Sequence, residues 1–303
     1  MSGARAGDPA ERGRLTTRAA LASIAVALLL LTLKGYAAWK TDSIAMLGSL
    51  ADTGLDLVAA CVTLWGVWIA ARPADHDHRF GHGKAEALAA LFQVVLITLS
   101  AIGIAMRAVG RMGEAAATAH ADYGIAVSLV ATVLTIALIA YQRHVISATR
   151  SVAIQADRIH YASDLLLNGA VIVALILDQY LHVPGADPLF GIAIALWLLW
   201  GAWGAAWTAI DQLMDKEWPD EKRRHFLAVA QQHPELRGIH DLRTRSSGAR
   251  EFVQFHVWVA PEMSVAEAHR VMDEVEARLA TEFPGVEILI HPDPEGHVDE
   301  RGG

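Results

Sequence analysis

Six long apolar runs separated by short polar connections occupy the first two thirds of the chain: Ala19 to Trp39, Ile44 to Ala71, Ala85 to Val109, Tyr123 to Tyr141, Val152 to Leu177 and Pro188 to Leu213. Crossing a hydrocarbon core of ~30 Å takes about 20 helical residues, so the pattern predicts six transmembrane helices. After Leu213 the pattern becomes that of a water-soluble domain. Pro219 opens a helical stretch that stops at His233-Pro234, where proline removes a backbone donor. Ile239 to Arg245 and Glu251 to Val259 read as strands, the second alternating Val253, Phe255, Val257 and Val259 against Gln254, His256 and Trp258. Ser264 and Glu267 form a capping box for a helix to about Glu282, and Val286 to His291 is a last strand. The order αββαβ predicts a small sheet covered on one face by two helices. The expected fold is therefore an all-α six-helix transmembrane domain over 19–213, after a cytoplasmic tail of 1–18. An α+β domain over 214–297 and a tail of 298–303 complete it.

An even number of spans puts both termini on one side. The connections on that side carry Arg72, Arg79 and Lys84, then Arg143 and Arg150, besides the basic amino-terminal tail. The other side offers Lys40, Arg107 and Arg111, and no Lys or Arg from Asp178 to Asp187. The positive-inside bias places both termini in the cytoplasm, although Arg107 and Arg111 count against it. The formal charge of −8 comes with basic residues scattered along the chain, which argues against a nucleic-acid partner. Cys61, the one cysteine, excludes an internal disulfide and reads as a small buried hydrophobe.

Ionisable side chains inside spans are costly unless paired, so they are functional candidates. Asp52 and Asp56 in span two, and His160 and Asp164 in span five, each have i, i+4 spacing, which stacks both side chains on one helix face. The two spans run antiparallel. Asp52 lies about eight residues into its span and His160 about nine into its own, roughly 12 to 14 Å deep at 1.5 Å per residue. Counted from opposite faces, the four residues meet near the midplane, Asp56 facing His160 and Asp52 facing Asp164. Three carboxylates and one imidazole make a tetrahedral shell suited to zinc, which cadmium or cobalt can also accept. Magnesium and calcium prefer six or more oxygen ligands. Lys34, near the outer end of span one, reads as a snorkelling side chain without a role. Trp197, Trp200, Trp203 and Trp207 read as facing lipid or a neighbouring helix.

Two further constellations lie outside the spans. In the loop from Pro73 to Lys84, Asp75, His78 and His82 are candidate ligands for one cation, with water or His76 completing the shell. In the soluble domain His240, His256, His269, His291 and Asp293 come from different elements, and a carboxylate in such a set can bridge two ions. His120, His144, His182, His225, His233 and His297 read as surface or loop residues.

At this point the chain resembles the cation diffusion facilitators, particularly their bacterial zinc and iron efflux branch. The resemblance is carried by Asp52-x-x-x-Asp56, by Phe80-Gly-His-Gly-Lys-Ala-Glu86, by Ala156-Asp-Arg-Ile-His-Tyr-Ala-Ser-Asp164 and by Gly238-Ile-His-Asp-Leu-Arg-Thr-Arg245. It implies a homodimer in the bacterial inner membrane, with six helices per subunit, a metallochaperone-like cytoplasmic domain and antiport of metal against protons. It also implies a transport site of Asp52, Asp56, His160 and Asp164, a loop site of Asp75, His78 and His82, and a binuclear site of His240, His256, His269, His291 and Asp293. Zinc would thus be both transported and regulatory. Lys84 and Asp215 match an ion pair tying the third span to the sixth. Pro292 departs from the pattern, standing between His291 and Asp293 where a polar residue is expected, and His76 is an additional potential ligand.

The expected mechanism is alternating access around the midplane site, with protons and metal competing for the same groups and His160 carrying the proton. Rival readings are a membrane metalloprotease, which lacks His-Glu-x-x-His here, and a metal-responsive soluble module merely anchored by the helices.

Overall fold

The computed structural model describes residues 9–41, 44–110, 122–181, 186–232, 234 and 238–296. The chain divides into two compact units, one made of Ala10–Pro73 and His82–Ile210, the other of Ala74–Gly81 and the chain from Asp211 on.

The first unit is helical: α1 (Pro9–Thr41), α2 (Ile44–Ala70), α3 (Ala85–Gly110), α4 (Asp122–Thr149), α5 (Val152–Leu181) and α6 (Ala186–Leu213). Among the described residues, five of these, all but α5, contain a stretch long and apolar enough to cross a membrane. α5 carries Asp157, Arg158, His160 and Asp164 within its first half. Small side chains let the helices approach closely. Ala19, Ala20, Ala89 and Ala153 are buried with Val67, Val145 and Ile154 in one cluster, and a Cβ added at Gly66 would meet the Ala89 Cβ at 2.4 Å. Without a hydrophobic driving force between helices in lipid, close van der Waals contact of this kind is what holds them together.

Helix α1 begins at Pro9, well before the expected span at Ala19, so part of the stretch read as a tail is helical. Pro9 suits a first helical position because its missing N–H has no intrahelical partner there. Arg12 gives this end a tertiary role. Its guanidinium pairs with the buried Glu86 carboxylate of α3 at 2.8 Å and donates to the Thr149 carbonyl of α4 at 2.8 Å. Likewise α4 continues past Tyr141 to Thr149, because Gln142 and Val145 are buried rather than solvated. Cys61 is exposed on α2, contrary to the buried position expected, since the inward face at that level is held by Ala59, Ala60 and Thr63. Trp197, Trp200, Trp203 and Trp207 are all on the outer surface of α6.

The second unit contains α7 (Asp220–Ala230), β1 (Gly238–Ser247), β2 (Arg250–Val259), α8 (Val265–Glu282) and β3 (Val286–Pro294). Its three-stranded sheet has the order β1-β2-β3, with β1 antiparallel and β3 parallel to β2. Alternation along β2 sends Val253, Phe255, Val257 and Val259 into a core with Phe226 of α7 and Val271, Val275 and Leu279 of α8. The capping box at Ser264 and Glu267 starts α8, as the sequence predicts. The segment Ala74–Gly81 packs on this unit through Phe80, which meets Phe252 edge to face at 5.5 Å beneath the Arg245 guanidinium.

Candidate metal-transport site

Asp56 of α2 and His160 and Asp164 of α5 come together with one ligand atom from each within 4.8 Å of the others. The His160 Nε2 lies 2.9 Å from an Asp56 carboxylate oxygen. This is the geometry of i, i+4 pairing on one helix opposed by a carboxylate on the other, and the ligand types are those a divalent transition metal accepts. Asp52 stands apart from the three, on an exposed part of α2. Four residues of α-helix advance about 400°, so Asp52 is rotated about 40° and displaced about 6 Å from Asp56. Its charge still acts on Asp164, together with those of His160, Asp56 and Lys34.

A buried polar layer lies one turn of α5 away from His160, and sequence reasoning missed it. The fully buried Asp157 accepts from the Ser23 hydroxyl of α1 at 2.7 Å, the Gln142 amide of α4 at 2.8 Å and the Gln93 amide of α3 at 3.1 Å. Gln93 also donates to the Thr63 hydroxyl of α2 at 2.9 Å, and the Tyr161 hydroxyl donates to the Ser23 carbonyl at 3.2 Å. One carboxylate thus ties three other helices to α5 directly and a fourth, α2, through Gln93. The sequence held one signal for it, an intramembrane carboxylate at i−3 from a candidate ligand. Lys34 was also misjudged: instead of snorkelling outward, its ammonium donates to the buried Thr53 hydroxyl of α2 at 2.7 Å.

In the soluble unit the ladder places His240, His256 and His291 side by side across the three strands. They project from the sheet face opposite Phe255 and Val257, the face that α7 and α8 cover being the other one. Asp293, two residues beyond His291 and so on the same face, gathers the three. Its carboxylate is 2.8 Å from His256 Nδ1, 3.2 Å from His240 Nε2 and 3.2 Å from His291 Nε2. Burial pushes this carboxyl up, but the His256 hydrogen bond and the positive potential of the three imidazoles outweigh it and hold it below its ordinary value. An irregularity in the β1 ladder follows His240, with Asp241 at φ 47°. His240, His256 and Asp293 present ligand atoms within 4.8 Å of one another, a set that fits zinc. Pro292 points away, on the face of Val257. His269 does not join the others within the chain. It lies on the exposed side of α8, beyond the sheet, with its Nδ1 3.2 Å from Asp273.

In the loop before α3, Asp75, His78 and His82 can also set ligand atoms within 4.8 Å of one another. The Asp75 carboxylate accepts from the backbone N–H groups of Asp77 and His78, which preforms the turn. His76 points into solvent beside Asp77. Asp215, at φ 56°, lies 3.7 Å from Arg245. His144 and His225 are exposed, as expected of surface residues, while His120, His182, His233 and His297 lie outside the described residues.

Residues 20–214 match the family described as the cation efflux transmembrane domain, and residues 218–295 the cytoplasmic domain of cation efflux proteins. The cation-efflux pump FieF of Pectobacterium atrosepticum is 41% identical over 288 residues, covering 95% of this chain and 96% of that protein. FieF of Cronobacter sakazakii is 40% identical over 283 residues, covering 93% and 94%. A solved zinc form of CzrB is 39% identical, with 28% of this chain and 98% of that chain covered and a TM-score of 0.27. With both family domains in order along one chain, and relatives aligned over nearly its whole length, the protein belongs to the cation diffusion facilitator family of cation-efflux transporters.

Proposed function

We propose that this transporter exports zinc in exchange for protons, by alternating access at the site of Asp56, His160 and Asp164, with Asp52 as the fourth ligand. Cadmium, iron(II) and cobalt(II) are the alternative cargoes, and the name of the relatives, cation-efflux pump, singles out none of them. The observation that carries the reading is the His160–Asp56 contact of 2.9 Å beside Asp164, in helices of a transmembrane domain. Metal needs ionised aspartates and a neutral imidazole, so loading releases protons, and protons arriving from the outer side displace the ion. His160, with a reference pKa of about 6.5, is the group best matched to carry one of them.

The architecture proposed with this function is six spans, α5 included, in a homodimer embedded in bacterial inner-membrane lipid with both termini cytoplasmic. The soluble domain then faces the metal pool to be exported. Zinc held by His240, His256, His291 and Asp293, with His269 and a second ion, acts there as a sensor that biases the membrane domain. The loop ligands Asp75, His78 and His82 form a third site, and Lys84 and Asp215 an ion pair steadying α3 against α6. These last assignments rest on the family resemblance.

Zinc uptake into proteoliposomes with internal pH followed at the same time tests the reading. Zinc entry coupled to opposite proton movement, lost in Asp56→Ala and in His160→Ala, is expected. Zinc flux at the normal rate in either variant contradicts the site. Unaltered flux in the absence of any pH gradient response contradicts the antiport.

A further inference from the structure

Lys34 is a cation inside a site for cations. An ammonium within a transmembrane helix is costly unless paired, and one near the end of a span ordinarily reaches for the interface. Here the side chain is half-buried and turns inward to donate to Thr53, which is itself buried on α2 between Asp52 and Asp56. Its hydrogen bond to the neighbour of Asp52 sets the ammonium beside the site, and its charge acts on Asp164 of α5.

We infer that Lys34 is a built-in counter-ion of the transport site, whose fixed positive charge weakens metal binding enough for the ion to leave. The inference rests on the transport reading above. Its logic is one of charge. Asp52, Asp56 and Asp164 ionised, His160 neutral, Lys34 protonated and one divalent ion together sum to neutrality, which suits a loaded site that must move inside a low-dielectric interior. Without Lys34 the loaded site keeps one net negative charge, and it holds a divalent ion more tightly, since repulsion from the ammonium acts on both of the ion's charges. Tight binding without release does not transport. Lys34 therefore tunes the site toward turnover and touches no cargo. The charged group of the site on which its charge acts is Asp164 of α5, and its hydrogen-bond partner Thr53 adjoins Asp52 on α2.

The test is zinc uptake by the reconstituted full chain, with KM and kcat separated. In Lys34→Met, KM falls about tenfold or more and kcat falls with it, because release becomes slow. Lys34→Arg keeps both near wild type. Thr53→Val, which removes the hydrogen bond but leaves the charge, keeps KM within about twofold on the same reasoning. An unchanged or raised KM in Lys34→Met overturns the inference, and so does an equal fall in Thr53→Val, since either makes Lys34 only a tether between α1 and α2. Should Lys34→Met carry no flux, equilibrium zinc binding to the purified full chain bearing His78→Ala and His256→Ala decides. Tighter binding than in Lys34→Arg supports the counter-ion, and equal or weaker binding overturns it. Wild-type vesicles that take up no zinc would instead sink the transport reading itself.

Discussion

The helical site and the sheet site use the same ligand types on opposite scaffolds. In the membrane domain the ligands come from two separate helices, α2 and α5. In the soluble domain three imidazoles share a single rung of a hydrogen-bonded ladder, and Asp293 draws them together. A ladder fixes its neighbours at about 4.8 Å, whereas two packed helices have alternative registers at modest cost. On the proposed reading, the site that releases its ion lies between packed helices, while the site that reports on an ion lies on one hydrogen-bonded sheet.

The sharpest way to break this comparison is to remove one ligand from each scaffold. Asp56→Ala and His160→Ala are expected to reduce zinc flux about a hundredfold or more, since each breaks the four-ligand shell and leaves an unpaired polar group in a dry interior. Asp52→Ala, whose side chain stands away from the other three, is expected to lose about tenfold. Equal losses at Asp52 and Asp56 would mean that the four act as one rigid shell. In the sheet, Asp293→Ala is expected to weaken zinc binding by the soluble domain by about 10–100-fold. Calorimetry on that domain measures this, and flux in vesicles should fall only severalfold. If Asp293→Ala abolished flux as fully as His160→Ala, the division into a releasing site and a reporting site would be wrong.

A smaller effect sharpens the picture of the membrane scaffold. Asp157→Asn preserves size but turns an acceptor of three hydrogen bonds into a group with only one acceptor oxygen. The polar layer joining α1, α3 and α4 to α5 should then lose about 2–3 kcal/mol. Thermal unfolding of the detergent-solubilised chain would register this, with Asp157→Glu less affected than Asp157→Ala. Indifference to both would show that the layer does not hold the bundle.

Legibility differed between the scaffolds for a physical reason. Helical periodicity is local, so the i, i+4 pairs Asp52/Asp56 and His160/Asp164 could be placed on faces from spacing alone. The facing of Asp56 and His160 followed from counting depth. What spacing could not give was rotation about each helix axis: Asp52 is exposed and lies outside the group of ligand atoms within 4.8 Å, and Lys34 turns toward Thr53. Asp157 was passed over because its partners Ser23, Gln93 and Gln142 sit on three other helices, and ordinary polar residues in spans carry no ligand signal. In the soluble domain the αββαβ order and the capping box were readable from alternation and turn chemistry. The common rung of His240, His256 and His291 was not, since strand register is a long-range property and a slip of one residue would turn an imidazole to the other face. His269 is on the exposed side of α8, whose other side covers the apolar face of the sheet, so within the chain it stands apart from the rung.

The smallest effects concern acid and the α8 cap. Two carboxyls of the soluble domain titrate below their ordinary values: Glu267, which accepts from the Ser264 backbone N–H and hydroxyl, and Asp293, for the reasons given above. Their stabilisation is complete above the ordinary carboxyl values of about 4 and is lost as the pH falls through the lower folded values. The fragment from Asp211 onward, which carries its own core, should therefore lose stability progressively below about pH 4, and Glu267→Gln should soften that loss. Ser264→Ala should cost about 1 kcal/mol at neutral pH, read by denaturant unfolding of the same fragment.

The central claim is that one imidazole and the carboxylates around it hold the transported ion. X-ray absorption at the zinc edge reads this directly on the full chain in which His78→Ala and His256→Ala disable the other candidate sites. A four-coordinate shell of one imidazole nitrogen and carboxylate oxygens at about 2.0–2.2 Å, losing its imidazole signature in His160→Ala, is the expected result. A shell of six oxygens, or an imidazole signal that persists in His160→Ala, would contradict it.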